Sequence, residues 1–399
     1  MTTPTTSGVA AGRPQPQTTN EQAGGPFVRY SQPGRRTQYS VSGVAFGTGL
    51  VNQPLVAAPG YTRGYRVYVQ ATGGNATTAT AGADNPGNVA SLVQLKDAFG
   101  TPLIVAPGYE AFQLIQMFGG QYGLDTTTDV RNLPTFSPVG ASTGNFTAPF
   151  YLPLEFAKAY GVISSANASL LPTLQINVNT SSAFYGTSVP ATLPTMQFIV
   201  DQDFYWLPDG VAVEPPGIGT TEQWVYQPAN PTIGSAATLN VQLPRLGGYL
   251  SVILAELRDS AGARATTAAG NTGWPTAGNR VRMIVDGVPL IDSLYTTLQD
   301  DMAITFGVGA NFGATSTAAG TVLVAQPSGV LGINRKNGLS QQSMGLFDTG
   351  ETYLSTNPGT QIEFACAPWG GIGSAPMTLN AVCGQVVPSG ALIQGLPEV

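Results

Sequence analysis

Gly100-Thr101-Pro102-Leu103-Ile104 returns 187 residues further on as Gly287-Val288-Pro289-Leu290-Ile291. Three more pairs recur in step with it. Gly64-Tyr65 answers Gly248-Tyr249 at a displacement of 184, Tyr109-Glu110-Ala111-Phe112-Gln113 answers Tyr295-Thr296-Thr297-Leu298-Gln299 at 186, and Gln175-Ile176-Asn177-Val178 answers Gln361-Ile362-Glu363-Phe364 at 186. Four anchors in the same order, with a displacement steady to within four residues, mark one unit used twice. The period far exceeds the roughly 20–50 residues of solenoids and propellers. It is the length of a whole domain. The recurring Gly-x-Pro is a tight turn, in which glycine accepts unusual backbone angles and proline fixes φ.

Outward from the first anchor, strand signals accumulate. Tyr39 to Val44 alternates at period two, Gly64 to Ala71 is β-branched and aromatic, and Val89–Leu95 and Leu103–Val105 flank the anchor. Leu174, Ile176 and Val178 alternate with polar residues, and Gln197–Trp206 closes the unit. Between them, Ala111, Leu114, Ile115 and Phe118 put one apolar face on a short helix over Pro107–Phe118, with Gly119-Gly120 as its stop. Leu152–Tyr160, closed by Gly161, reads as a further helical turn. The second unit repeats the scheme with strands at Thr238–Leu243, Tyr249–Leu257, Arg280–Val285, Ala303–Val308, Thr321–Ala325, Thr360–Ala367 and Met377–Val387, and a short helix at Tyr295–Met302. Long Gly/Ala/Thr-rich loops at Thr72–Gly87 and Ser260–Gly278 hold equivalent places in the two units. The prolines and glycines of Pro208–Glu222 exclude a buried strand and read as a linker.

This organisation gives an arm over residues 1–37, a first unit over 38–207, a linker over 208–222, a second unit over 223–387 and a tail over 388–399. With about eight strand candidates in each unit and helices confined to loops, the expected fold is all-β: two tandem eight-stranded jelly rolls.

Composition narrows the function. Charged residues are 10% of the chain, against about 25% in an ordinary soluble protein. Lysine occurs only at 96, 158 and 336. So little charge suits a protein that covers much of its surface with neighbours. The 399 residues contain no histidine, which excludes Ser–His and Cys–His nucleophilic systems and His-bearing zinc sites. There is no Gly-Lys-Ser/Thr phosphate loop. Cys366 and Cys383 alternate with apolar neighbours and read as small inward-facing residues of strands rather than a disulfide framework. No stretch approaches the ~20 apolar residues of a membrane span. No cofactor or metal is expected. Asp201-Gln202-Asp203 with Asp209 lacks the calcium-loop pattern, and Asp300-Asp301 reads as a solvated face.

Charge is unevenly placed. Arg13, Arg29, Arg35 and Arg36 stand in the arm against Glu21 alone, and with Arg63 and Arg66 the first 66 residues carry +5 while the rest carry −11. A basic arm of this kind either is a solvated tail or meets something anionic: acidic lipid, nucleic acid, or a neighbour's acidic face. The four arginines are the candidate interface residues.

The tandem duplication, the two short helices, and Leu152-Pro153-Leu154-Glu155-Phe156 followed by Tyr160-Gly161 ahead of the Leu174 strand together resemble the double jelly-roll major capsid proteins. This family builds the shells of tailless, membrane-containing double-stranded DNA phages, the tectivirus-like group among them. The resemblance covers about residues 38 to 387. It implies upright jelly rolls, a homotrimer of pseudo-sixfold outline, and contacts with neighbouring trimers and with penton and minor capsid proteins. It also implies an icosahedral virion shell around an internal membrane that the arm approaches, synthesis in the host cytoplasm, no enzymatic activity and no specific nucleic acid. The Pro-rich arm departs from an amphipathic membrane-contacting helix. A second reading is a two-domain β-sandwich that binds carbohydrate or hydrolyses glycosides, as a phage fibre or secreted lectin-like module. Its sugar platform would draw on Trp206, Trp224, Trp274 and Trp369.

Overall fold

The structure, a computed structural model, describes residues 25–49, 53–55, 60–76, 78–82, 84–115, 135–156, 159–164, 171–208, 211, 213–216, 220–228, 239–258, 262, 280–294, 297–298, 301, 330–335, 354–356, 360–366 and 378–388. The first lobe contains β1 (Gln32–Val44), β2 (Gln53–Pro54), β3 (Tyr61–Thr72), β4 (Ala90–Lys96), β5 (Pro102–Ala106), β6 (Thr135–Phe136), β7 (Phe146–Pro153), β8 (Ile163–Ser164), β9 (Thr173–Val178) and β10 (Thr195–Trp206). The second contains β11 (Thr220–Gln227), β12 (Leu239–Gln242), β13 (Tyr249–Arg258), β14 (Arg280–Val285), β15 (Val288–Leu294), β16 (Val330–Asn334), β17 (Leu354–Ser355), β18 (Ile362–Cys366) and β19 (Thr378–Pro388). Among the described residues there are also short helices α1 (Gly25–Tyr30) and α2 (Ser181–Phe184), a 3-10 turn over Gly87–Val89 and a π-helical turn over Glu110–Leu114.

The topology is the same in both lobes. In the first, β1-β10-β3-β7 faces β2-β9-β4-β5; in the second, β11-β19-β13-β16 faces β12-β18-β14-β15. Numbering the eight main strands of each lobe in chain order, both read 1-8-3-6 over 2-7-4-5. That is a jelly roll, twice. Alternation builds each sandwich: Leu174, Ile176 and Val178 of β9 point inward, as do Val67 and Val69 of β3. Phe364, Cys366 and Cys383 do the same in the second lobe.

The repeated anchors fall on equivalent elements. Gly100 lies in the β4–β5 turn with φ 84° and Gly287 in the β14–β15 turn with φ 80°, so both copies need the left-handed conformation glycine permits. Asp286, at φ 48°, makes the second turn a two-residue hairpin with positive φ at both positions. Gly64 and Gly248 also share a cause: a Cβ would stand 2.7 Å from the Leu152 carbonyl oxygen in one and 2.2 Å from that of Val386 in the other.

Several expectations change. Strand β1 starts at Gln32, six residues before the expected boundary at Gln38, and the residues ahead of it form α1. Pro33 is tolerated because β1 is an edge strand, and Gly34 is required because a Cβ there would sit 2.6 Å from the Phe204 ring. Phe27 anchors α1 edge-to-face against Tyr61 and Tyr205, with centroids at 5.4 and 5.5 Å. The expected helical turn at Leu152–Tyr160 begins instead within strand β7, whose Ala148, Phe150 and Leu152 are buried in register with β3. The expected linker ends early: Thr220–Glu222 belong to β11, which is paired on both sides. The Thr72–Gly87 loop does not stand free, since Asn75, Thr78 and Ala81 bridge to Thr192, Val139 and Tyr185. The helix expected from Pro107 is present at Glu110–Leu114, with Phe112 stacked on Phe150 at 4.2 Å. The strands expected at Ala303–Val308 and Thr321–Ala325, and most of the Ser260–Gly278 loop and of the Tyr295–Met302 helix, lie outside the described residues.

Candidate assembly surfaces

The two lobes share a sheet. Strand β5 pairs in parallel with β11, Ile104 opposite Trp224 and Val105 opposite Val225. The first lobe's β2-β9-β4-β5 and the second lobe's β11-β19-β13-β16 thereby become one nine-stranded sheet, with β17 on β13. The strand carrying the first anchor is thus the seam of the molecule. Trp224 is 1% exposed at this seam, and no residue of β11 is exposed. Strand β11 is paired along its whole length with β19 and at Trp224 and Val225 with β5, so the buried backbone at the seam is hydrogen-bonded.

A buried charge cluster spans the same seam. Arg258, at the end of β13, places Nη1 2.6 Å from Asp84 of the first lobe's long loop and Nη2 3.3 Å from Glu110 of the π-helical turn. Nη2 also lies 2.7 Å from Glu256 of its own strand. Its guanidinium stands 5.5 Å from the Tyr109 ring centroid. Three carboxyls around one arginine cannot all stay charged in a dry site. Burial, followed by the Glu110 charge, raises Glu256 well above the ordinary carboxylate range. Oxygens of both Glu256 and Glu110 lack a hydrogen bond among the described residues, in keeping with a crowded carboxyl pair. The sequence carried one signal for this site: Glu256 interrupts the apolar run Tyr249–Leu257, and alternation sets it on the same face as Arg258.

Of the candidate interface arginines, Arg13 lies outside the described residues. Arg29 is exposed on α1, and Arg35 and Arg36 are exposed on β1. The structure brings Arg35 together with Arg66: their Nε atoms donate to the two oxygens of Asp203, at 2.7 and 2.8 Å. Asp203 is therefore committed to two cations, which argues against the calcium reading of Asp201-Gln202-Asp203, and Gln202 faces inward to Thr62. Asp209 lies outside the described residues, among which no cluster of three or more His, Cys, Asp or Glu could hold a metal. Arg36 makes no ion pair among the described residues. Sequence reading missed the neighbouring Glu155, which accepts from Arg63 at 2.6 Å, from the Tyr205 hydroxyl at 2.8 Å and from the Ala159 amide at 2.7 Å. This is what the Leu-Pro-Leu-Glu-Phe stretch does: its glutamate ties β3, β10 and the chain after β7 into one corner. Burial, then the Glu155 charge, raises the Tyr205 phenol, which keeps it a donor.

Trp224 is inside the seam, Trp206 ends β10 and is exposed, and Trp274 and Trp369 lie outside the described residues. Both cysteines are free and buried, and burial pushes the Cys366 thiol up to about 12. Among the described residues, strand β15 exposes three large apolar side chains, Val288 (58%), Leu290 (48%) and Leu294 (41%).

Eight strands in the order 1-8-3-6 over 2-7-4-5, repeated in tandem and joined through one sheet, define a double jelly roll. No protein-family model and no curated protein sequence matches the chain. Solved structures do. The STIV MCP superposes with a TM-score of 0.60 at 14% identity, covering 92% of this chain and 100% of that one. The atomic structure of Sulfolobus Turreted Icosahedral Virus contains a chain at TM-score 0.57 and 15% identity, with 92% and 94% covered. PBCV-1 VP54, fitted into a reconstruction of the virophage Sputnik, gives 0.52 at 14% identity, with 93% and 95% covered. At such identities the likeness is one of fold: this chain has the double jelly-roll fold of viral major capsid proteins.

Proposed function

We propose that this protein is a major capsid protein that assembles as pseudo-hexameric homotrimers into an icosahedral virion shell around an internal membrane, and that it is not an enzyme. One observation carries the reading: a single chain holds two lobes of identical topology fused edge to edge, so three chains supply six equivalent building blocks. The scarcity of charge, 10% of residues, suits a surface largely covered by neighbours. Neighbouring trimers and penton and minor capsid proteins complete the shell. The segment ahead of β1, with Arg13 and Arg29, and the exposed Arg36 form the basic contact. Its partner is the internal membrane or an acidic face of an adjacent subunit. The chain is made in the host cytoplasm and ends in the virion.

Light scattering of the purified full chain, with electron microscopy of the native particles, tests this. The expected results are a stable trimer and a hexagonal array of three-subunit capsomers. A chain that stays monomeric at every concentration and salt would overturn the proposal.

A further inference from the structure

Each sandwich, 1-8-3-6 over 2-7-4-5, ends its sheets in four edge strands, and the chain joins its two lobes through the fifth and the first. Within the chain one such pair is joined, the first lobe's fifth strand β5 to the second lobe's first strand β11. The other pair is open. Strand β15, the second lobe's fifth, ends the sheet β12-β18-β14-β15, and β1, the first lobe's first, ends the sheet β1-β10-β3-β7-β6. Among the described residues nothing pairs with either outer edge.

Burial records the difference between joined and open copies of the same element. In β5, Leu103 and Ile104 are buried; in β15 their counterparts at the 187-residue displacement are Leu290, exposed, and Ile291, half-buried. In β11, Thr221, Glu222 and Trp224 are buried. Their β1 counterparts follow from pairing with the eighth strand. Tyr65 faces Gln202 as Tyr249 faces Val386, so Gln202 and Val386 are equivalent. Two residues earlier, Val200 faces Tyr39 as Gly384 faces Trp224. Tyr39 is therefore the counterpart of Trp224, and Arg35 and Arg36, both exposed, stand where Thr221 and Glu222 are buried. An exposed strand edge with apolar residues is a template for pairing and is not left open in a stable assembly.

We infer that β15 of one copy pairs in parallel with β1 of the next copy of this chain, with the register of the internal β5–β11 seam, so that Ile291 lies opposite Tyr39 and Asp292 opposite Ser40. The contact is head to tail. If the junction between chains repeats the rotation of the junction within the chain, six lobes close a ring with no open edge, and three chains supply them. This rests on the proposed trimer and adds which edges make it.

The test is the double variant Ser40→Cys/Asp292→Cys in the full chain, treated with a short bismaleimide. The native cysteines Cys366 and Cys383 are buried and give no background. Cross-linked dimers and trimers on a denaturing gel, absent from each single variant, are expected. A second variant, Leu290→Arg, alters a side chain exposed in the single chain, so its circular dichroism and melting should match the parent. The concentration at which its trimers half-dissociate should rise at least about tenfold. A trimer that neither cross-links nor weakens would overturn the edge pairing while leaving the capsid reading intact. A parent chain that never trimerises would overturn both.

Discussion

Arg258→Met removes the cation from the cluster that ties the second lobe to the first while keeping most of the side chain's volume. The Arg258 side chain is 15% exposed, and its three partners respond differently to its loss. Asp84 is partly open to solvent and can rehydrate. Glu256 is fully buried but already holds a proton. Glu110, also buried, loses the guanidinium beside it, so the variant leaves one buried carboxyl without its ion-pair partner. Removing one partner of a buried pair costs about 3–5 kcal/mol, and a single stranded carboxylate argues for the lower end, about 3 kcal/mol at neutral pH. Arg258→Lys keeps the charge without the planar fork and should lose about half as much. Urea unfolding, followed by circular dichroism at one protein concentration and at pH values from about 5 to about 8, measures the loss. The sign of the pH dependence is fixed. In the parent, Glu256 titrates higher in the folded than in the unfolded chain. Its contribution is therefore whole below the ordinary carboxylate value and is lost as pH rises through its raised value. In Arg258→Met the cation that favours ionised Glu256 is gone and Glu256 is raised further, so the gap to the parent widens as pH rises and narrows toward pH 5. Glu256→Gln, neutral at every pH, should flatten the parent's own slope. A loss below about 1 kcal/mol at pH 7, or a gap that does not change with pH, would refute this account of the seam.

Trp224→Ala empties the seam where β5 meets β11 and should cost about 3–5 kcal/mol in the same assay, whereas Trp206→Ala, at an exposed strand end, should cost less than about 1 kcal/mol. At pH 8 a maleimide should label neither Cys366 nor Cys383 in the folded protein and both in urea, because burial excludes the reagent and raises both thiols; rapid labelling of the native chain would contradict their place in the core.

Much of the fold was legible because its signals are local. Alternation at Leu174–Val178 or Arg280–Val285 needs only the chemistry of neighbouring residues, and the strands fall there. Where local chemistry misled, a distant partner had decided. Gln32–Thr37 looks like a tail because it carries Pro33 and Gly34, yet it is a strand because β10 lies alongside and the Phe204 ring needs Gly34 to have no side chain. Thr220–Glu222 follows a run of prolines and glycines, yet β19 alongside holds it as a strand. Arg35 looked like a free cation until folding placed Asp203 beside it.

The sequence alone determined the duplication, because the two copies retain the residues each turn demands: Gly100 and Gly287 for positive φ, Gly64 and Gly248 for close backbone approach. It determined too that histidine chemistry is excluded. Only the tertiary structure decided how the copies differ. Pro102-Leu103-Ile104 and Pro289-Leu290-Ile291 are identical as sequence, but one is the buried seam between two lobes and the other, among the described residues, an unpaired edge. Edge or interior is a property of what lies across the hydrogen-bonding direction of a strand, and that neighbour comes from elsewhere in the chain, or from another copy of it.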